Sequence, residues 1–244
     1  MIKEIYLKRH NLDGRMIFLK KFFVFLFIGI LLLVGVFEFA APRIMSRGIE
    51  MALSKMADGK YEVDLRSHPS LKMLLGRFDS IEVTVYGIEV AGVRIDELAT
   101  KINDVKLDIQ KLVFNRTLDF QGKKDIQGSI RISEKNLSEA LVKKGFKDFT
   151  VIINPGKATV KGGMKLINKP FDIVVEGRFV PRDKTKVAFL VDRVKIGEVS
   201  LPEKLQENLL SGTIFYIDLG EAPIPVKIDD VLMQQGELLL KVSD

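Results

Sequence analysis

The 244-residue chain has no cysteine and no tryptophan, and it holds only two histidines. Disulfides, thiolate nucleophiles and cysteine metal ligands are therefore excluded, and stability has to come from packing alone. His10 sits in a basic N-terminal stretch, so a Ser-His-Asp triad or a histidine-rich zinc site elsewhere has only His68 to draw upon. His68 lies in "SHPS", where the flanking serines and proline mark a turn. A surplus of one charge is also lacking. The net charge is +6, but residues 1–21 hold six basic and two acidic groups and Glu38 adds an acid, which leaves 32 basic against 29 acidic residues in the remainder. That balance lacks the footprint of a nucleic-acid binder, and no nucleic-acid partner is expected.

What is present is a long apolar run. From Phe22 to Phe37 there are 16 residues without charge, and past Glu38 the run resumes through Ala41. A hydrocarbon core about 30 Å thick takes roughly 20 helical residues, whereas the apolar part of a signal peptide is about 7 to 15 long. Cleavage after Ala40 or Ala41 would put Glu38 or Phe39 where a small residue is needed. The run is therefore expected to stay as an anchor. Lys3, Lys8, Arg9, Arg15, Lys20 and Lys21 precede it, which keeps the N-terminus cytoplasmic and places the remainder outside a cell membrane. Met16 opens the compact basic start "MIFLKKFF" and is a candidate translation start. The expected organisation is a cytoplasmic segment at 1–21, a transmembrane anchor, or alternatively a signal, at 22–41, a juxtamembrane helix at 42–60 opened by Pro42, and a domain at 61–244. Met45, Ile49, Ala52, Leu53 and Met56 recur at helical spacing in that third segment. Its basic residues Arg43, Arg47 and Lys55 suit anionic headgroups, and its stripe equally suits packing on the domain.

The domain alternates. Ile81, Val83 and Val85 interleave with Glu82, Thr84 and Tyr86, and Val105, Leu107 and Ile109 with Lys106, Asp108 and Gln110. "SLKMLLGR" is expected to be a helical turn leading into the first long strand. Ser133 caps a helix through "EKNLSEALVKK" that Gly145 closes, and Ser200 caps another with Leu201, Leu205 and Leu209 on one face. Between them Asn154-Pro155-Gly156, Lys169-Pro170 and Pro181-Arg182-Asp183 punctuate a meander. The segment "NPGKATV" is a β-turn and not a phosphate loop, because Val151 stands where the first glycine would be required. Asp229 and Asp230 form one acidic dyad without spaced partners, which makes a poor divalent site. The fold class is α+β: an N-terminal transmembrane helix, then a curved, mainly antiparallel sheet around one or two helices.

The stretches "LLGRFDSIEVTVYGIEVAGVRIDELATKINDVKLD", "GSIRISEKNLSEAL", "LPEKLQENLL" and "APIPVKIDDVLMQQGELLL" resemble the LmeA-like family of bacterial phospholipid-binding proteins. The resemblance implies a tubular lipid-binding arrangement, in which a curved sheet embraces a helix and holds acyl chains of a phospholipid or glycolipid between them, with no cofactor and no catalysis. An envelope scaffold and a carboxylate-dependent envelope hydrolase are the alternatives. Large apolar side chains on the expected inward faces nominate a groove lined by Leu137, Leu141, Phe171, Ile173, Val175, Phe189, Val191, Leu205, Leu209 and Phe215. Arg77 and Arg178 follow glycines beside strands and are the candidate headgroup contacts, with surface ion pairing as the competing use.

Overall fold

The computed structural model describes residues 2–55, 58–108, 111, 120–121, 125–166, 169–197, 199–200, 215–222 and 227–243. Helix α1 spans Ile2–Leu53 without a break, so the expectation that Pro42 opens a separate helix is corrected. A proline inside a helix leaves the carbonyl four residues earlier without its donor. That carbonyl belongs to Glu38, and the Ser70 hydroxyl donates to it at 3.0 Å. From Lys20 to Val36 every residue of α1 is exposed, and the segment is long and apolar enough to cross a membrane. The C-terminal part behaves differently. Ala41, Ile49 and Leu53 are buried and Met45 is partly buried, one residue per helical turn on the face that meets the domain. Packing on the domain is thus the use to which the stripe is put.

The first sheet contains β1 (Lys60–Arg66), β2 (Arg77–Tyr86), β5 (Glu97–Leu107), β6 (Phe120–Gln121), β7 (Asp125–Ser133), β14 (Lys227–Gln234) and β15 (Glu237–Ser243). Its order is β1-β2-β5-β7-β15-β14 with β6 on β5, all antiparallel. A small hairpin, β3 (Glu89–Val90) and β4 (Val93–Arg94), links β2 to β5. The second sheet holds β8 (Thr150–Asn154), β9 (Lys157–Leu166), β10 (Lys169–Pro181), β11 (Lys186–Ile196), β12 (Val199–Ser200) and β13 (Tyr216–Asp218), ordered β12-β11-β10-β9-β8 with β13 on β11. One of the sheets curls into a half-barrel, and the α+β, mainly antiparallel class is the one expected. The period-two patterns become burial: Ile81, Val83, Val85, Leu98, Ile102, Ile130, Ile132, Leu238 and Leu240 share one core. "SLKMLL" forms a 3-10 turn, Ser70–Leu75, closed by Gly76 at φ +69°.

Helix α2 (Glu134–Lys143) joins the sheets. Ser133 caps it, accepting the Asn136 N–H at 3.4 Å. Its polar face seals the edge strand β8: the Glu134 carboxylate accepts the Ile153 N–H at 3.0 Å, and the Ser138 hydroxyl accepts the Val151 N–H at 2.8 Å. The match is geometric, because four helical residues and two strand residues both advance about 6 Å. Helix α1 treats the other sheet alike, with Glu50 Oε1 accepting the Val63 N–H of edge strand β1 at 3.0 Å. Open edges recruit further strands, and both helices remove that hazard here. The expected leucine-striped helix beginning at Leu201, together with Met56 and Ile109, lies outside the described residues.

Candidate functional site

An apolar cavity of about 280 Å³ opens where α2 ends over the second sheet. The helix contributes Leu141 and, just past its last residue, Lys144; the connection to β8 adds Phe146 and Phe149; and β8 and β9 add Val151 and Val160. Val175 and Phe179 of β10, Phe189 and Val191 of β11, and Phe215 ahead of β13 are the remaining described residues of the wall. A dry apolar cavity of about 150 Å³ already takes up benzene. This one is nearly twice that size and, among the described residues, carries a single charged side chain, Lys144, whose Nζ lies 4.6 Å from the Phe215 ring centroid.

Local sequence explains the wall. Gly145 takes φ +98° and ends α2 with the paired bonds of a Schellman motif: Phe146 N–H to the Leu141 carbonyl at 3.0 Å and Gly145 N–H to the Val142 carbonyl at 3.0 Å. That motif brings the residue after the glycine against the helix residue whose carbonyl it caps, and here both Phe146 and Leu141 face the cavity. Phe146 stacks edge-on with Phe149 at 5.5 Å between centroids. Phe149 in turn sits on Gly162, where an added Cβ would lie 2.3 Å from its ring. On the sheet, the β10–β11 register shifts at Glu176/Gly177 and leaves Asp192 unmatched. The bulge changes the parity of β11, so that Phe189 and Val191 face the cavity before it and Val194 is buried after it.

The fold brings together Leu141, Val175, Phe189, Val191 and Phe215 of the nominated residues. Leu137 lies one turn back on α2, where the helix is still seated on the core, and is fully buried there. Phe171 and Ile173 are half-buried on β10 beyond the cavity, which occupies the part of the strand nearer Phe179. Leu205 and Leu209 fall outside the described residues. Arg178 is engaged elsewhere, its Nε and Nη2 lying 3.4 and 3.3 Å from Asp192 Oδ1, and Arg77 begins β2 in the other sheet; neither lines the cavity. Lys144, Phe146, Phe149, Val151, Val160 and Phe179 were not nominated. The Gly-Phe pair closing α2 was the available signal for Phe146.

His68, the one histidine considered for chemistry, lies with Nδ1 3.1 Å from Glu38 Oε1, and its backbone N–H donates to Asp79 at 2.7 Å. Several carboxylates are held by cations or backbone N–H groups. Glu82 is held below the usual carboxylate range by the Lys101 hydrogen bond, Glu176 by Lys157 with Arg193 and Lys195 beyond, and Asp218 by the Gly220 N–H with Lys186 and Thr185. A general acid needs the opposite shift. Asp229 lies 3.7 Å from Lys227, and Asp230 accepts the Val231 N–H. Among the described residues, no three His, Asp or Glu side chains gather as metal ligands would.

Comparison with curated proteins and with solved structures finds no significant match in either set. A family comparison does. Residues 36–243, most of the 244-residue chain, match the family described as LmeA-like phospholipid-binding. The match takes in the cavity-bearing sheet, α2 and the segment of α1 that is bonded to the domain, and the chain accordingly belongs to the LmeA-like phospholipid-binding family.

Proposed function

We propose that the protein is a non-enzymatic, membrane-anchored domain that holds a phospholipid acyl chain in the cavity between α2 and the second sheet. The observation that carries this reading is the wall itself, which among the described residues is made of leucine, valine and phenylalanine with one lysine. Burial of apolar area stabilises a chain there by about 25 cal/mol per Å² relative to water. A lipid leaving a bilayer was already dry, so the net preference must come from fit and from the headgroup. Lys144 is the group within reach of a phosphate at the cavity edge, and an ammonium serves a phosphate as a point charge.

The anchor reading draws support from how the domain uses α1. Glu38, Ala41, Ile49, Glu50 and Leu53 are all bonded to or packed on the domain. A cut at Ala40 or Ala41 would sever Glu38 from the contacts it makes with Ser70. The basic residues before Phe22 support an orientation with the domain outside the cell membrane, where envelope lipid is the available cargo.

The test is photo-crosslinking of the full chain in detergent with a diacyl phospholipid bearing a diazirine near the end of one chain. Adducts on peptides covering Leu141–Val151 and Val175–Val191 are expected. Adducts confined to the helix at 22–41 would overturn the assignment of the cavity.

A further inference from the structure

We infer that the turn Ser70–Leu75 is a second membrane contact, dipping its leucines into the phospholipid interface beside the point where α1 leaves the bilayer. This rests on reading α1 as a membrane anchor. In a six-residue turn, Ser70 and Met73 are buried, while Leu71, Leu74 and Leu75 are 46, 61 and 76% exposed. Three leucines turned outward from a turn that is pinned on its other face form a patch that water does not favour.

The position of the turn identifies what covers the patch. Glu38, the first residue after the uninterrupted apolar run, accepts the Ser70 N–H at 2.8 Å through Oε2, and its carbonyl accepts the Ser70 hydroxyl. The turn is therefore fixed at the level where the run ends. Glu50, which meets β1, stands 12 residues further along α1, about 18 Å deeper into the domain. The lengths agree. The 16 residues Phe22–Phe37 rise about 24 Å, roughly 6 Å short of a hydrocarbon core about 30 Å thick. The bilayer must then reach past Glu38, to Phe39 and to the leucines held alongside it. Ser70 and His68 supply donors to a carboxylate that would otherwise meet the acyl boundary with none.

Charge agrees as well. Lys72 lies within the turn and Arg77 two residues past Leu75, and Arg43 and Arg47 follow Glu38 on the exposed side of α1. Asp79 offsets Lys72 at 3.3 Å, whereas Arg77 has no ion-pair partner among the described residues. Exposed leucines with basic residues in and just after the same turn are what an anionic phospholipid interface accommodates.

The absence of native cysteine permits the test in the full chain. Single Leu33→Cys, Leu74→Cys, Leu75→Cys and Lys135→Cys variants carry a polarity-sensitive fluorophore and are reconstituted in phosphatidylcholine vesicles containing one-quarter phosphatidylglycerol. The vesicles also contain lipids spin-labelled near the headgroup or near the chain end. The expected result is deep quenching at Leu33, shallow quenching with a blue shift at Leu74 and Leu75, and no quenching at Lys135. Quenching at Leu33 with Leu74 and Leu75 as unquenched as Lys135 would overturn the inference and leave the anchor standing. An unquenched Leu33 would overturn both.

Discussion

A cavity between α2 and the second sheet leaves room for a larger side chain, and replacing Val175 with phenylalanine measures whether it does so here. Val175 lines the space from the middle of β10, paired with Val194 on one side and Val160 on the other. Phenylalanine adds four carbons at ~0.8 kcal/mol each, a gross gain of about 3 kcal/mol. The open side of the cavity and the fixing of a larger rotamer reduce that to a net gain of roughly 1–2 kcal/mol. For a domain of this size each kcal/mol raises Tm by about 2–4 °C. The assay is thermal unfolding of the full chain in detergent followed by circular dichroism, alongside the phospholipid crosslinking described above. The expected result is a higher Tm with fewer adducts on the cavity peptides. An ordinary well-packed core would instead be overfilled and lose about 1–3 kcal/mol, and that loss would refute the cavity. A higher Tm with undiminished adducts would separate the cavity from the lipid.

Gly162→Ala drives a methyl into the Phe149 ring; a loss of about 1–3 kcal/mol in urea unfolding, with weakened crosslinking at the Phe149 peptide, is the expected outcome. Ser138→Ala leaves the Val151 N–H of β8 without its acceptor and costs about 1–3 kcal/mol, with faster amide exchange localised to β8 as the readout. Stability should also fall in acid. Glu82, Glu176 and Asp218 have folded-state pKa values lowered by their partners, so their contribution is complete above the ordinary carboxylate pKa and disappears as pH drops through the lowered folded value. In Glu176→Gln, which keeps the shape and removes the titration, urea midpoints measured from neutral pH down to pH 3 should decline less steeply than in the parent.

The parts of this protein that were legible in its sequence are those governed by neighbours along the chain. The apolar run before Glu38, the alternation of Ile81, Val83 and Val85, the Ser133 cap, the Pro155-Gly156 turn and the 3-10 turn at Ser70 each depend on a few consecutive residues, and each formed as expected. The inward face of β11 was legible only as far as Asp192, because the bulge there answers to a register set by β10. Pro42 misled because its helix-opening signal is local, while the hydroxyl that keeps α1 unbroken arrives from Ser70.

The cavity shows the same division at the level of function. Leu137 and Leu141 carry the same signal on one helical stripe and both are buried, yet only Leu141 also lines the cavity, since only it lies where α2 stops above the second sheet. Arg178 and Lys144 are both cations next to a glycine; the bulge hands the first to Asp192, while the second stands over Phe215. Sequence alone determined an anchor-length apolar run and a set of amphipathic strands and helices. Tertiary structure decided where those apolar faces fail to meet, because a gap is set by the separation of elements distant in the chain, and no local run of residues records it.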